Sequence, residues 1–229
     1  TASAYFDGTG DFLQSADSAD WDLNGDFTWE LWIRPATINT GGNAHYLMTQ
    51  HEDSNNRIQW FQSSANWQFM MYENGVNVAQ DSQKFVNAPA LVADTWYHLA
   101  VCRSGNNISL FQDGVQISYA STTMKTTISA PLILGRRADG DSTGDWSGYM
   151  DEIRISNIAR YTSAGFSVPT EPTTADANTK LLIQSNFSEG GLGADHSGNY
   201  NYFLPSNMTV DDMMPDSPMN SVGGNFCTI

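Results

Sequence analysis

The chain is poor in the residues that would mark several common functions. Its 229 residues hold only ten lysines and arginines against 25 aspartates and glutamates, a formal net charge of −15. Phosphate binding needs a basic face, so nucleic acid is excluded as a partner. No apolar run approaches the length of a membrane-spanning helix, which argues against membrane insertion. There are two cysteines, Cys102 and Cys227. Either they pair, or Cys102, which sits inside a strand pattern, serves as a small buried hydrophobe. Four histidines (His45, His51, His98, His196) show no metal-binding spacing. Six glutamates (Glu30, Glu52, Glu73, Glu152, Glu171, Glu189) include no pair at i, i+2 with another acid in a strand. That leaves no Glu-x-Asp-x-Glu arrangement for glycoside hydrolysis, and no serine or cysteine stands in a nucleophile motif. A non-catalytic protein is expected. The chain begins at Thr1 with neither an initiator methionine nor a leader pattern, so a fragment of a longer protein is expected and no compartment can be read from a targeting signal.

Aromatic and turn-forming residues are plentiful. Phe27, Trp29, Leu31 and Ile33 alternate with Thr28, Glu30, Trp32 and Arg34, and Pro35 ends the run. Trp67–Ala79 turns at Asn74-Gly75, and Ile108–Tyr119 at Asp113-Gly114. These dipeptides suit two-residue hairpin turns, in which both central residues take positive φ. Ser104-Gly105-Asn106 joins Trp96–Arg103 to the second hairpin. Strands at this spacing, with only Ser156–Tyr161 resembling a helical turn, predict an all-β fold: a two-sheet antiparallel β-sandwich. Phe27, Trp29, Leu31, Leu99, Val101, Ile153 and Ile155 are its expected core. Residues 1–168 form the sandwich in this reading. Residues 169–205 are a Pro/Thr-rich linker with an added strand at Leu181–Ile183, which either packs on the sandwich or opens a further module. Residues 206–229 are an extended segment leading toward a missing domain.

The stretch Leu132–Arg160 carries the most chemistry. Alternation in Tyr149–Ser156 puts Tyr149, Asp151, Ile153 and Ile155 on one face, so Asp151 points where two isoleucines point. A buried carboxylate must be neutralised, hydrogen-bonded or metal-bound. Upstream, Asp139, Asp141, Thr143 and Asp145 mimic the first half of an EF-hand loop, but the twelfth position is Met150, where a bidentate glutamate is required. The loop therefore reads as either a loose rim calcium site or a solvated acidic turn. Sugars pack a CH face on exposed aromatic rings. Trp21, Trp60, Trp67 and Trp146 lie near loops or strand ends and are candidates, with Trp146 singled out because it flanks the acidic loop. Trp29 and Trp96 read as core, and Trp32 falls on the other strand face.

Together, AYFDGTGDFLQ (Ala4–Gln14), FTWELWIRP (Phe27–Pro35), TWYHLAVCRSGNNISLFQDGV (Thr95–Val115), LILGRR (Leu132–Arg137) and GYMDEIRISNIARYT (Gly148–Thr162) resemble the laminin-G-like, concanavalin A-type lectin/glucanase superfamily. The resemblance implies a concanavalin A-like jelly roll. It also implies a structural calcium between the first and last strands, matched here by Asp151 with Asp7 and the carbonyl of Gly8. The alternative for Asp151 is hydrogen bonding to backbone amides. The tail segments Ala159–Pro172, Thr179–Phe187 and Asp211–Ile229 resemble virion proteins of tailed bacteriophages. That resemblance implies a binding module at the virion surface, extracellular, contacting host-surface glycan. The competing reading is a decoration domain contacting other virion subunits, and homo-oligomerisation is left open. TKLLIQSNF with DHSGN also resembles the piece that precedes an AYFDG strand in this superfamily.

Overall fold

The computed structural model describes residues 2–39, 41, 43–77, 89–123, 126–140, 142–187 and 190–220. Fifteen strands follow in chain order: β1 (Ser3–Asp7), β2 (Phe12–Ser15), β3 (Phe27–Pro35), β4 (His45–His51), β5 (Arg57–Ser63), β6 (Asn66–Glu73), β7 (Val76–Asn77), β8 (Tyr97–Ser104), β9 (Asn107–Gln112), β10 (Val115–Ser121), β11 (Leu132–Leu134), β12 (Ser147–Ser156), β13 (Thr179–Ile183), β14 (Leu204–Ser206) and β15 (Met213–Met214). They form two antiparallel sheets. Sheet A runs β10-β9-β8-β3-β12-β1-β15, with β13 also paired to β12, and sheet B runs β14-β2-β11-β4-β5-β6-β7. This is the expected all-β sandwich.

The alternation in β3 works as read: Phe27, Trp29, Leu31 and Ile33 enter the core, where they meet Leu99 and Val101 of β8 and Ile153 and Ile155 of β12. From sheet B, Trp60, Trp67 and Phe69 face them. The Trp29 and Phe69 rings meet edge-on at 6.2 Å, and Trp60 packs on Trp67 at 5.7 Å. The hairpins turn at Asn74-Gly75 and Asp113-Gly114, with Asn74 and Asp113 at positive φ as such turns demand. Gly114 has a second role, since a Cβ there would lie 2.1 Å from the Phe166 carbonyl oxygen.

The helical turn expected at Ser156–Tyr161 is absent. Short 3-10 turns occur instead at Ala19–Trp21, Ser142–Gly144, Val210–Asp212 and Pro218–Asn220. Ser156 ends β12, and the chain then folds back over the outer side of sheet A, setting Tyr161 and Phe166 on Ala100, Cys102 and Phe111. Cys102 is a buried free thiol in that cluster, while Cys227 lies outside the described residues.

Residues after 177 add to the sandwich. β13 pairs with Ile153–Ser156 of β12, while β1 pairs with Ser147–Met150. The two short strands share one edge of β12 end to end. β14 extends sheet B beside β2, and β15 extends sheet A beside β1.

Candidate functional site

Asp151 sits at the junction of β1 and β13, on the opposite side from the expected one. The pairing of β12 with β3 slips between Asp151 and Arg154, and Glu152 takes φ 50°. This is a β-bulge, and one inserted residue reverses the alternation. Met150 before it and Ile153 after it both enter the core, whereas Tyr149 and Asp151 face outward from sheet A. Asp151 is buried nonetheless, because the C-terminal segment straps over it. Its Oδ1 accepts from the Glu152 amide at 2.8 Å and its Oδ2 from the Ser217 hydroxyl at 2.7 Å. Burial, reinforced by the neighbouring Glu152 carboxylate, holds the Asp151 carboxyl well above the usual aspartate range. Glu152 is raised too, mainly by burial, with Thr173 and Gln184 partly offsetting it.

The residues expected around a calcium do not assemble. Asp7 pairs with Ser147, four residues along β12 from Asp151, a separation of about 13 Å at roughly 3.3 Å per residue. The Asp7 Oδ1 accepts from the Thr9 amide at 2.6 Å, and the Cβ a side chain would add at Gly8 meets Ser147 at 3.0 Å. On the rim, Asp145 is buried and both its oxygens are taken. Arg136 Nε and Nη2 donate to them at 2.8 and 2.7 Å, and the Gly10 amide adds a third bond at 2.7 Å. Asp139 is paired with Arg137 at 2.7 Å, and Asp141 lies outside the described residues. Arginines and backbone amides neutralise these aspartates. Among the described residues no group of three His, Cys, Asp or Glu could hold a metal ion, so these side chains do not fit the calcium that the family resemblance implies.

The tryptophan platform also requires correction. Trp21, Trp60, Trp67 and Trp146 are all buried in the core. Trp60 and Trp67 take the inward positions of β5 and β6, and Trp21 and Trp146 join the same core from the segments that flank strands. Trp67 gives its Nε1 hydrogen to Gln112 at 3.1 Å. Trp96, read as core, is half-buried on the outer side of sheet A, 6.1 Å from the Tyr149 ring.

Two surfaces carry accessible aromatic and polar side chains. On sheet A, Tyr5 and Tyr149 meet at 4.9 Å and Arg34 lies 5.0 Å over Tyr149. The chain's own strap occupies this surface, with Asp216 accepting from Arg34 and from Trp96 Nε1. Tyr119 at the β10 edge stays 62% exposed, while beside the strap the Tyr161–Phe166 segment lies over a buried network. There Glu30 accepts from Arg154 Nε at 2.5 Å and from the Tyr161 hydroxyl, with His98 Nε2 at 3.3 Å. Burial opposes ionisation of Glu30, but hydrogen bonds and charges from His98, Arg154 and Tyr161 outweigh it and hold the carboxyl below its usual range. A groove of ≈ 560 Å³ between Gly114–Gln116 and Ser163–Ser167 is lined by uncharged residues.

The outward side of sheet B is different in composition: Thr49, Gln59 and Phe61 on it are buried, Tyr46, Gln68, Met70 and Tyr72 are half-buried, and Gly144 lies against the Tyr46 ring. Alternation sends Ile58, Trp60, Trp67, Phe69 and Met71 inward, so Gln59, Phe61, Gln68, Met70 and Tyr72 face out. Register sets them in rows. Tyr46 lies opposite Phe61 and Phe61 opposite Gln68. Thr49, Gln59 and Met70 form a second row, and His51, Arg57 and Tyr72 a third. The Tyr46 and Phe61 rings are 5.5 Å apart, and the Arg57 guanidinium stacks 3.7 Å over Tyr72. At the other end Arg136 lies 4.8 Å over Phe12 and Arg137 5.9 Å from Tyr46. The face combines ring surfaces with planar amides and guanidinium groups, and its rows contain no carboxylate. The sequence signal for it was the same alternation that defined the core, read for the residues in between.

Two antiparallel sheets packed around one core make the chain a β-sandwich domain. Residues 7–163 match the Laminin_G_3 family model, described as the concanavalin A-like lectin/glucanases superfamily. The chain belongs to that family. No curated protein matches the sequence significantly. Among solved structures, a candidate carbohydrate binding protein from Bacteroides ovatus ATCC 8483 is similar, with TM-score 0.64 and 14% identity, covering 93% of this chain. This chain spans 61% of that protein's length. Domain 4 of AbnA, a GH43 extracellular arabinanase from Geobacillus stearothermophilus in complex with arabinotriose, gives TM-score 0.54 and 18% identity over 71% of this chain and 73% of that one. Mouse laminin alpha1 domains LG4-5 give TM-score 0.53 and 16% identity over 74% of this chain and 47% of that one. At these identities the likeness concerns the fold.

Proposed function

We propose that this domain is a non-catalytic carbohydrate-binding module that takes glycan on the outward side of sheet B. The observation that carries the reading is the contrast between the two sheet faces. Sheet A carries the C-terminal strap and the Tyr161–Phe166 segment, whereas sheet B presents Tyr46, Tyr72, Gln68 and Arg57 in register. Pyranose and furanose rings offer CH faces to aromatic side chains and hydroxyls to amides and guanidinium groups. Glycoside hydrolysis needs two carboxylates flanking the scissile bond, and the rows of this face supply none. The carbohydrate-binding description of the Bacteroides ovatus protein and the arabinotriose bound to the arabinanase domain support the same class of ligand. The tail's resemblance to tailed-phage proteins supports a setting on the virion surface, outside the cell, with host-surface glycan as the partner.

A glycan array probed with the full chain tests the reading, with arabinotriose among its ligands. Binding to at least one glycan, weakened about tenfold or more by Arg57→Ala/Tyr72→Ala, is expected. Unchanged binding in that variant would remove the sheet B assignment. Mass spectrometry of purified particles that encode the chain tests the virion setting.

A further inference from the structure

The turn between β13 and β14 lies outside the family-matched residues and presents two tyrosines to solvent. Asp195 accepts from the amides of Leu182, Ser197 and Asn201 and from the Ser197 hydroxyl. Asn199 Nδ2 donates to the carbonyls of Thr179 and Lys180. Asn201 Nδ2 donates to the Lys180 carbonyl and the Asp20 carboxylate. Phe203 anchors the far end: it is buried 6.2 Å from Trp21, and its amide donates to the Gly193 carbonyl. Gly193, at φ 73°, has no room for a side chain, since a Cβ would sit 2.2 Å from the Phe203 oxygen. On this fixed turn Tyr200 and Tyr202 are 74% and 54% exposed, with ring centroids 6.3 Å apart. Tyr200 holds φ 62°, a conformation rare for a bulky residue. Leu204, 73% exposed, continues the track onto β14 and lies opposite the outward residue Gln14 of sheet B.

Packing does not account for this arrangement, because the rings return little burial for the strained backbone beneath Tyr200. The surroundings also indicate the kind of partner. The turn that carries the rings is polar, held by bonds of Ser197, Asn199 and Asn201 with the Lys180–Asp20 pair beside it, and a stable protein interface covers about 1,200–2,000 Å². Separate ring faces on an amide- and hydroxyl-bearing turn suit an amphipathic ligand such as a sugar. A net charge of −15 disfavours polyanions. We infer that Tyr200 and Tyr202 form a second stacking site, for a neutral polysaccharide chain that continues from the sheet B face over Leu204. The inference rests on the carbohydrate reading above for its ligand class and adds a site on a separate element.

Affinity gel electrophoresis of the full chain in gels containing laminarin, arabinan, galactomannan or dextran tests it. The variants are Tyr200→Asn/Tyr202→Ser and Arg57→Ala/Tyr72→Ala. Asparagine tolerates the left-handed backbone, and an unchanged melting temperature verifies the fold. The tyrosine variant is expected to lose at least tenfold in affinity for a polysaccharide that retards the wild type. If the tyrosine variant is retarded like wild type, the inference is overturned, and loss in the other variant would leave the sheet B reading standing. Loss in the tyrosine variant alone keeps Tyr200 and Tyr202 as a stacking site and overturns both the sheet B reading and the continuation over Leu204. Absence of retardation in all four gels overturns the inference, and the glycan array then decides the sheet B reading separately.

Discussion

Replacing Asp151 with asparagine should preserve or raise stability at neutral pH, and replacing it with alanine should lower it. The carboxyl is buried beside Glu152, receives the Glu152 amide and the Ser217 hydroxyl, and is held well above the usual aspartate range by that burial. The folded state therefore binds this proton more tightly than the unfolded chain does. The resulting stabilisation is complete below the unfolded pKa, about 3.9. It is lost as pH rises through the folded-state value. Each tenfold weakening of the acid by burial costs about 1.4 kcal/mol once the pH exceeds the folded-state pKa. Asparagine keeps an acceptor for the Glu152 amide, and the Ser217 hydroxyl can rotate to accept from its Nδ2, so the charge penalty is removed at little cost in hydrogen bonds. Alanine leaves an amide and a hydroxyl buried without their acceptor, at about 1–3 kcal/mol. Urea denaturation between pH 4 and pH 8 would measure both. Asp151→Asn should gain on the wild type as pH rises, with the difference smallest at pH 4. The reasoning fails if Asp151→Asn is destabilised as much as Asp151→Ala at pH 8, because the carboxylate would then be the required species, as a metal ligand is.

Chelation by EDTA should leave the melting temperature unchanged, because Asp7, Asp139, Asp145 and Asp151 are held by Arg136, Arg137, Ser217 and backbone amides. A fall of several degrees that calcium reverses would restore the metal. Arg154→Met should cost about 3–5 kcal/mol in urea denaturation by leaving Glu30 buried without its guanidinium. Adding Glu30→Gln to that variant should recover part of the loss, and no recovery would show that the pair is not energetically coupled. A chain ending at residue 168 should lose cooperative thermal unfolding, since β13 no longer covers the Ile153–Ser156 edge of β12. A sharp transition at the wild-type temperature would contradict that role.

The strands were legible because their signals are local. Phe27–Ile33 alternates cleanly, and Asn74-Gly75 and Asp113-Gly114 carry turns that few other dipeptides form so readily. The direction of Asp151 was not legible. A bulge adds one residue to a strand with no fixed composition, and here the residue at positive φ is Glu152, a type with no preference for that region. The fate of the tryptophans was hidden for another reason. Proximity to a loop in sequence says nothing about what packs over a ring: Trp60 packs on Trp67 of the next strand, and Trp67 in turn reaches Gln112, 45 residues away. The placement of residues 179–214 was hidden likewise, since β13, β14 and β15 pair with strands from the opposite end of the chain or from its middle. The outward side of sheet B was present in the same alternation as the core, but only the register between strands brings Tyr46, Phe61 and Gln68 into one row.

The central claim is that carbohydrate lies on the outward side of sheet B. The most direct measurement is a ¹H–¹³C and ¹H–¹⁵N chemical-shift titration of the labelled full chain with the strongest ligand from the glycan array. The account predicts that the largest shifts fall on the side chains of Tyr46, Gln68, Met70 and Tyr72, with those of Tyr5 and Tyr149 on sheet A unmoved. Shifts confined to Tyr5, Tyr149 and Trp96 would contradict it and place the ligand under the C-terminal strap.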